Sequence, residues 1–141
     1  MGVSEYINFT SEDWVLDLKS RSVLLVLSEA EMTSAQFEDV AIGQAQVLLA
    51  TMAPDASVDG AQLDAASILI LEIRPDMPAS LERLRHVRAS HPDLPIIAAI
   101  RDANVSLVRM LLKQGVRDVV ALPLVHSELA SIIAEICDDL D

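Results

Sequence analysis

The sequence predicts an α/β protein, a three-layer, doubly wound (βα)5 sandwich built on a parallel sheet. Three observations lead there. Short runs of branched apolar residues recur along the chain, each too short to be a helix of its own. Between them lie segments whose apolar residues repeat at helical spacing. The chain has 141 residues, 52% apolar and 23% charged, enough for one ordered domain with its own core.

The elements follow in order. Residues 1–20 stand outside the alternation as an N-terminal extension, and residues 21–141 form the domain. Three of the four aromatics (Tyr6, Phe9 and Trp14) sit in the extension, a composition that predicts docking on the domain or on a partner. Val23–Leu27 ("VLLVL") is the first strand. Thr33–Ala45 reads as a poorer helix and Gln46–Thr51 as a weaker strand, followed by a short helix over Ser57–Ala65. Ile68–Leu71 ("ILIL") is the third strand. Pro78–Ser90 is a helix with Leu81, Leu84 and Val87 inward, stopped by "SHPDLP". Pro95–Ile100 ("PIIAAI") is the fourth strand, and Asp102–Gln114 a helix closed by Gly115. Asp118–Leu122 ("DVVAL") is the fifth strand. Ser127–Leu140 is the last helix, with Leu129, Ile132, Ile133, Ile136 and Leu140 on one face and Ser127 as its N-cap.

Strands apolar on both sides of the pleat suit a sheet covered on both faces. Right-handed crossovers at this spacing predict the flavodoxin-like strand order 2-1-3-4-5.

Composition excludes several functions. Ten basic against 22 acidic residues give a net charge of −12, which repels phosphate backbones and anionic membranes. No nucleic-acid partner is expected. No apolar run reaches the roughly 20 residues of a spanning helix, and "MGVSEYINFT" lacks the pattern of a signal peptide. A cytoplasmic protein, or a domain from a longer one, is the expectation. Cys137 is the only cysteine, so no intrachain disulfide forms, and a small apolar filler is its simplest role. The four glycines make neither GxGxxG nor a P-loop. His86, His91 and His126 lack metal-ligand spacing, and no Ser/His/Asp set can be assembled.

Ligands of open α/β sheets sit at the C-terminal ends of the strands. The first strand runs into Ser28, Glu29 and Glu31. The third ends at Glu72, the fourth at Ile100 with Arg101 and Asp102 behind it, and the fifth at Leu122-Pro123. With these positions, Arg21–Leu140 resembles a response-regulator receiver domain, most closely over "PIIAAIRDANVSLVRMLLKQGVRDVVALPLVHSEL". That resemblance implies an acidic pair after the first strand, a phospho-accepting aspartate ending the third, a hydroxyl residue ending the fourth and Lys-Pro after the fifth. Here those places hold Ser28-Glu29, Glu72, Ile100 and Leu122, with Pro123 kept.

Each substitution removes chemistry. Phosphoryl transfer to a carboxylate needs Mg²⁺ in near-octahedral oxygen ligation, and two glutamates and a serine hold it only loosely. No cofactor is expected. Without lysine, no point charge pairs with a phosphoryl group, and Ile100 cannot hydrogen-bond to one. Glu72 reads first as a structural remnant and second as a built-in phosphomimic, while Asp76 reads as a turn or N-cap residue.

A narrower resemblance rests on "VRMLLKQGVRDVVALPLVHSEL" and "LERLRHVRASHPDLPIIAAI". Both are similar to the N-terminal receiver-like domain of CpaE/TadZ-type pilus-assembly proteins. This implies a protein-interaction and localisation module in type IVb (Flp/Tad) pilus assembly, recruited to a cell pole or pilus site, with a ParA/MinD-like ATPase beyond Asp141 in a longer parent chain. Receivers self-associate or bind partners through the fourth helix, fifth strand and fifth helix. Helical projection of Asp102–Gln114 puts Val105, Val108, Leu111 and Leu112 against the sheet. It leaves Leu107 and Met110, flanked by Arg109 and Lys113, as a candidate partner surface. The competing function is a response-regulator signalling domain of a two-component phosphorelay with an atypical acidic site.

Overall fold

The computed structural model describes residues 21–35, 41, 42 and 45–140. The N-terminal extension and its aromatics lie outside the described residues. The strands are β1 (Ser22–Leu27), β2 (Ala41–Ile42), β3 (Ala45–Thr51), β4 (Ile68–Glu72), β5 (Ile96–Ile100) and β6 (Asp118–Ala121). The helices are α1 (Glu29–Ala35), α2 (Gly60–Ala65), α3 (Pro78–Ser90), α4 (Val105–Lys113) and α5 (His126–Leu140).

They form one sheet in the order β2-β3-β1-β4-β5-β6. All neighbours are parallel except β2 and β3. Setting aside two-residue β2, the five parallel strands stand in the predicted order 2-1-3-4-5. Leu25 is in register with Leu49 on one side and Ile70 on the other.

Every residue of β4 and β5 is buried, which is why these runs show no polar alternation. The two-residue period of the strands sorts them into two layers. Val23, Leu25, Ile68, Ile70, Ile97 and Ala99 pack toward α1 and α5, with Leu129, Ile133 and Ile136. Leu24, Val26, Leu69, Leu71, Ile96 and Ala98 pack toward α2, α3 and α4, with Leu63, Leu84, Val87 and Leu111. Full burial of each such side chain stabilises by about 1.5–3 kcal/mol. Because Glu72 shares parity with Ile68 and Ile70, its side chain leaves the sheet on the α1/α5 side.

The structure corrects the sequence reading in three places. Thr33–Ala45 is not one helix: α1 ends at Ala35, and Ala41–Ile42 pairs antiparallel with Ala45–Gln46. Alanine and isoleucine fit a sheet edge, and Gly43 opposes a continuous helix. The last helix already begins at His126, so Ser127 lies inside it rather than capping it. The helix after β5 begins at Val105, not Asp102. Asn104 caps it, its side chain accepting from the Leu107 N–H at 2.9 Å, while Asp102 takes a left-handed φ of 52°. Gly115 follows that helix at φ 97°. A Cβ there would lie 2.7 Å from Arg88 Nε, so a side chain would displace the Arg88 guanidinium, and the left-handed backbone favours glycine. Among the described residues, no helix is long and apolar enough to cross a membrane.

Candidate functional site

The C-terminal strand ends converge on Glu72, the last residue of β4, which is fully buried. Its Oε1 accepts a hydrogen bond from the Ser28 backbone N–H at 2.6 Å. Its Oε2 has no hydrogen-bond partner among the described residues, and Arg74 Nη1 approaches it only to 3.9 Å. The Arg74–Asp76 turn that follows is held by Ser80, whose hydroxyl accepts from the Arg74 N–H at 2.9 Å and faces the Arg74 and Met77 carbonyls. Asp76 belongs to that turn and pairs with Arg74 at 3.5 Å. The N-cap position of α3 falls to Met77.

Beneath Glu72 lies a residue the sequence reading missed. Arg83, on the sheet-facing side of α3, is 5% exposed. Its Nη2 donates to the Glu72 carbonyl at 2.8 Å, and its Nη1 donates to the Ala53 and Ala56 carbonyls at 3.0 and 3.1 Å. One guanidinium thus ties the end of β4 to the β3–α2 loop. Burial pulls its pKa down to about 10, against the opposing charges of Glu72 and Asp55. The available signal was positional: Ser80, Arg83, Leu84 and Val87 form one buried helical stripe, with an arginine inside it.

A second ion pair closes the site from above. Glu31 of α1 is buried and binds Arg101, which follows β5. Arg101 Nη2 donates to Glu31 Oε1 at 2.9 Å, and Arg101 Nε donates to Glu31 Oε2. The hydrogen bond and the charge of Glu31 raise the Arg101 pKa, with lesser support from Asp102 and Glu72. Glu31 therefore takes the inward place the sequence reading gave to Glu29, which is exposed on the same turn. Glu29 and Ala30 face solvent, whereas Glu31 is buried and Met32 and Ala35 pack against the core.

Ile100 and Leu122 occupy the remaining receiver positions as core residues, one in each layer. The Leu122 N–H donates to the Ile100 carbonyl at 2.8 Å, and the Leu122–Pro123 peptide is cis. The Mg²⁺ that the receiver resemblance implies does not fit these residues. Both Glu31 oxygens are engaged by Arg101, and Glu29 faces solvent. Among the described residues, no group of three or more His, Cys, Asp or Glu is placed to hold a metal ion.

The candidate partner surface on α4 is rotated from its predicted phase. Leu107 and Met110 pack on the core beside Val108 and Leu111, whereas Val105 is 65% and Leu112 46% exposed. Either phase aligns four apolar residues, so periodicity could not choose between them. The observed phase turns Leu107 and Met110 inward in place of Val105 and Leu112, which buries the larger side chains. The outward apolar residues are thus Val105 and Leu112, with Arg109 and Lys113 exposed beside them. A hollow of about 450 Å³ lies among Ala103, Asn104, Val105, Val108 and Arg109.

The strand order, the layers and the placement of these strand ends define the receiver fold. Solved structures of that kind superpose on most of the chain. CpaE from Burkholderia thailandensis, described as a pilus assembly protein, matches with a TM-score of 0.62 at 22% identity, over 82% of this chain and 96% of that one. A pilus assembly-related protein from Burkholderia pseudomallei matches at 0.60 and 20%, over 85% and 92%. The non-phosphorylated HemR receiver domain from Leptospira biflexa matches at 0.62 and 16%, over 83% and 94%. At these identities the likeness is one of fold. No family profile and no curated protein matches the sequence.

Proposed function

We propose that this chain is a pseudo-receiver: a domain that keeps the receiver fold, takes no phosphoryl group, and acts as a protein-interaction and localisation module in type IVb pilus assembly. The observation that carries the reading is the filling of the strand ends. Where a receiver presents a hydroxyl and a lysine, Ile100 and Leu122 are packed into the core. Neither side chain can bind a phosphoryl oxygen, and among the described residues no substitute nucleophile with a base stands beside Glu72. On this reading the domain acts by binding rather than catalysis, and Glu72 serves as a structural anchor, accepting the Ser28 N–H, rather than as a phosphomimic.

The pilus context is supported by the two Burkholderia pilus-assembly structures among the fold neighbours. In that setting the domain works in the cytoplasm at a pole or pilus site, within a longer chain carrying a ParA/MinD-like ATPase. Self-association or partner binding uses the α4–β6–α5 face, with Val105, Leu112 and Arg109 at its centre.

Deletion and complementation in the parent organism test this directly. Loss of the gene is expected to abolish surface pili, and the wild-type gene to restore them. A Val105→Asp/Leu112→Asp variant should fold, as judged by an unchanged thermal midpoint, yet fail to restore pili. Normal piliation in the deletion strain would remove the pilus reading, and full rescue by the variant would remove the α4 surface.

A further inference from the structure

We infer that Arg101 is the resident counter-ion of the strand-end site, a guanidinium built into the chain where the fold would otherwise hold a divalent cation. The observations are geometric. Glu31 is buried, and an unpaired buried carboxylate is strongly unfavourable. Both of its oxygens are bound by the two-pronged face of one arginine, the geometry that guanidinium supplies and ammonium does not. The charge of Arg101 is directed first at Glu31, with weaker attraction to Asp102 and Glu72. Arg74 stands 3.9 Å from Glu72 and is shared with Asp76, and Arg83 donates its hydrogen bonds to backbone carbonyls.

Two consequences follow. The clasp joins α1 to the β5–α4 loop across 70 residues of sequence, fixing that loop without a ligand. It also occupies both oxygens of Glu31, leaving that carboxylate no free oxygen for Mg²⁺, so the native domain is indifferent to the ion. Removing the guanidinium should free those oxygens. Glu31 and Glu72 would then face each other's field with Arg74 and Arg83 as the remaining cations, and added Mg²⁺ would recover part of the lost stability.

The inference rests on the pseudo-receiver reading for its premise that the site is closed to phosphotransfer. The two fail separately, because its readout is thermal stability and needs no phosphodonor. Thermal midpoints are measured for the wild-type chain, Arg101→Gln, Arg101→Lys and Arg101→Gln/Glu31→Gln, in MgCl₂ and in NaCl of matched ionic strength. The wild type is expected to melt at the same temperature in both salts. Arg101→Gln should melt about 5–10 °C lower in NaCl and regain part of that in MgCl₂. The double variant should lose the Mg²⁺ response, because the Glu31 carboxylate that Arg101 holds is gone and Glu72 stands alone. Arg101→Lys keeps the charge but not the fork, and should melt between wild type and Arg101→Gln, or below wild type if the glutamine variant does not fold. A Mg²⁺-specific rise in the wild type overturns the inference, as does an Arg101→Gln midpoint equal to wild type or one blind to Mg²⁺. An Arg101→Lys midpoint equal to wild type overturns the role of the fork.

Discussion

Replacing Arg83 by methionine keeps most of the buried volume and removes the charge, so it isolates what the guanidinium does. Three hydrogen bonds to the Ala53, Ala56 and Glu72 carbonyls are lost. Bonds of this charged type contribute about 1.5–3 kcal/mol each, and sharing one donor group holds their sum near ~6 kcal/mol. Against this stands the cost of burying the charge. A pKa pulled down to about 10 by burial corresponds to about 3 kcal/mol. The sign is clear. The folded state binds this proton less tightly than the unfolded chain, so stability rises with pH from about pH 10 until the unfolded chain also releases the proton, and at neutral pH the full cost applies. The balance is a net loss near ~3 kcal/mol for Arg83→Met. With a urea slope of about 2 kcal/mol/M for a domain of this size, the midpoint falls by about 1.5 M. Arg83→Lys, with one ammonium unable to span two loop carbonyls and a strand carbonyl, should lose about half as much. Equilibrium urea unfolding followed by far-UV circular dichroism gives both values. A methionine midpoint within about 0.3 M of wild type would refute the reasoning, showing that desolvation cancels the bonds.

Other outcomes follow from the same coordinates. Leu107→Asp places a charge against the core layer of α2, α3 and α4 and should cost at least about 3 kcal/mol, while Leu112→Asp on the exposed side of the same helix should stay within about 0.5 kcal/mol. Urea midpoints of the two variants check the helix phase, and equal losses would reverse it. Gly115→Ala forces a side chain into left-handed backbone and against the Arg88 guanidinium, which is itself bonded to the Pro92 carbonyl at 2.9 Å. The expected loss is about 1–2 kcal/mol, read from the thermal midpoint.

The fold was legible because its central strands read clearly: "ILIL" and "IIAAI" are buried on both faces, and short branched apolar runs bounded by turn signals favour strand. The third helix was legible to the residue, since Pro78 opens it and "SHPDLP" closes it. The region from Thr33 to Ala45 was not, because β2 is only two residues long and exists through pairing with β3. Local propensity carries no trace of such pairing. At the site, Glu72, Ile100 and Leu122 were legible because strand ends fix their positions. Glu31 and Arg83 were not. Each is an ionisable residue whose inward direction depends on helix rotation, and their partners lie in other segments, 70 residues away for Arg101 and 27 and 30 residues away for the β3–α2 loop carbonyls. The same rotation decided the α4 surface. There Val105 and Leu112 face solvent although their spacing suited the core equally well.

The central claim is that the receiver fold here has exchanged its phosphotransfer chemistry for internal arginine–carboxylate pairs and apolar packing. Intact-mass measurement after incubating the full chain with Mg²⁺ and a small phosphodonor such as acetyl phosphate tests it most directly. The account predicts an unchanged mass, beside a phosphorylatable receiver that gains one phosphoryl group under the same conditions. A phosphoryl adduct on this chain, lost on substitution of Glu72 by glutamine, would contradict it and favour the phosphorelay alternative.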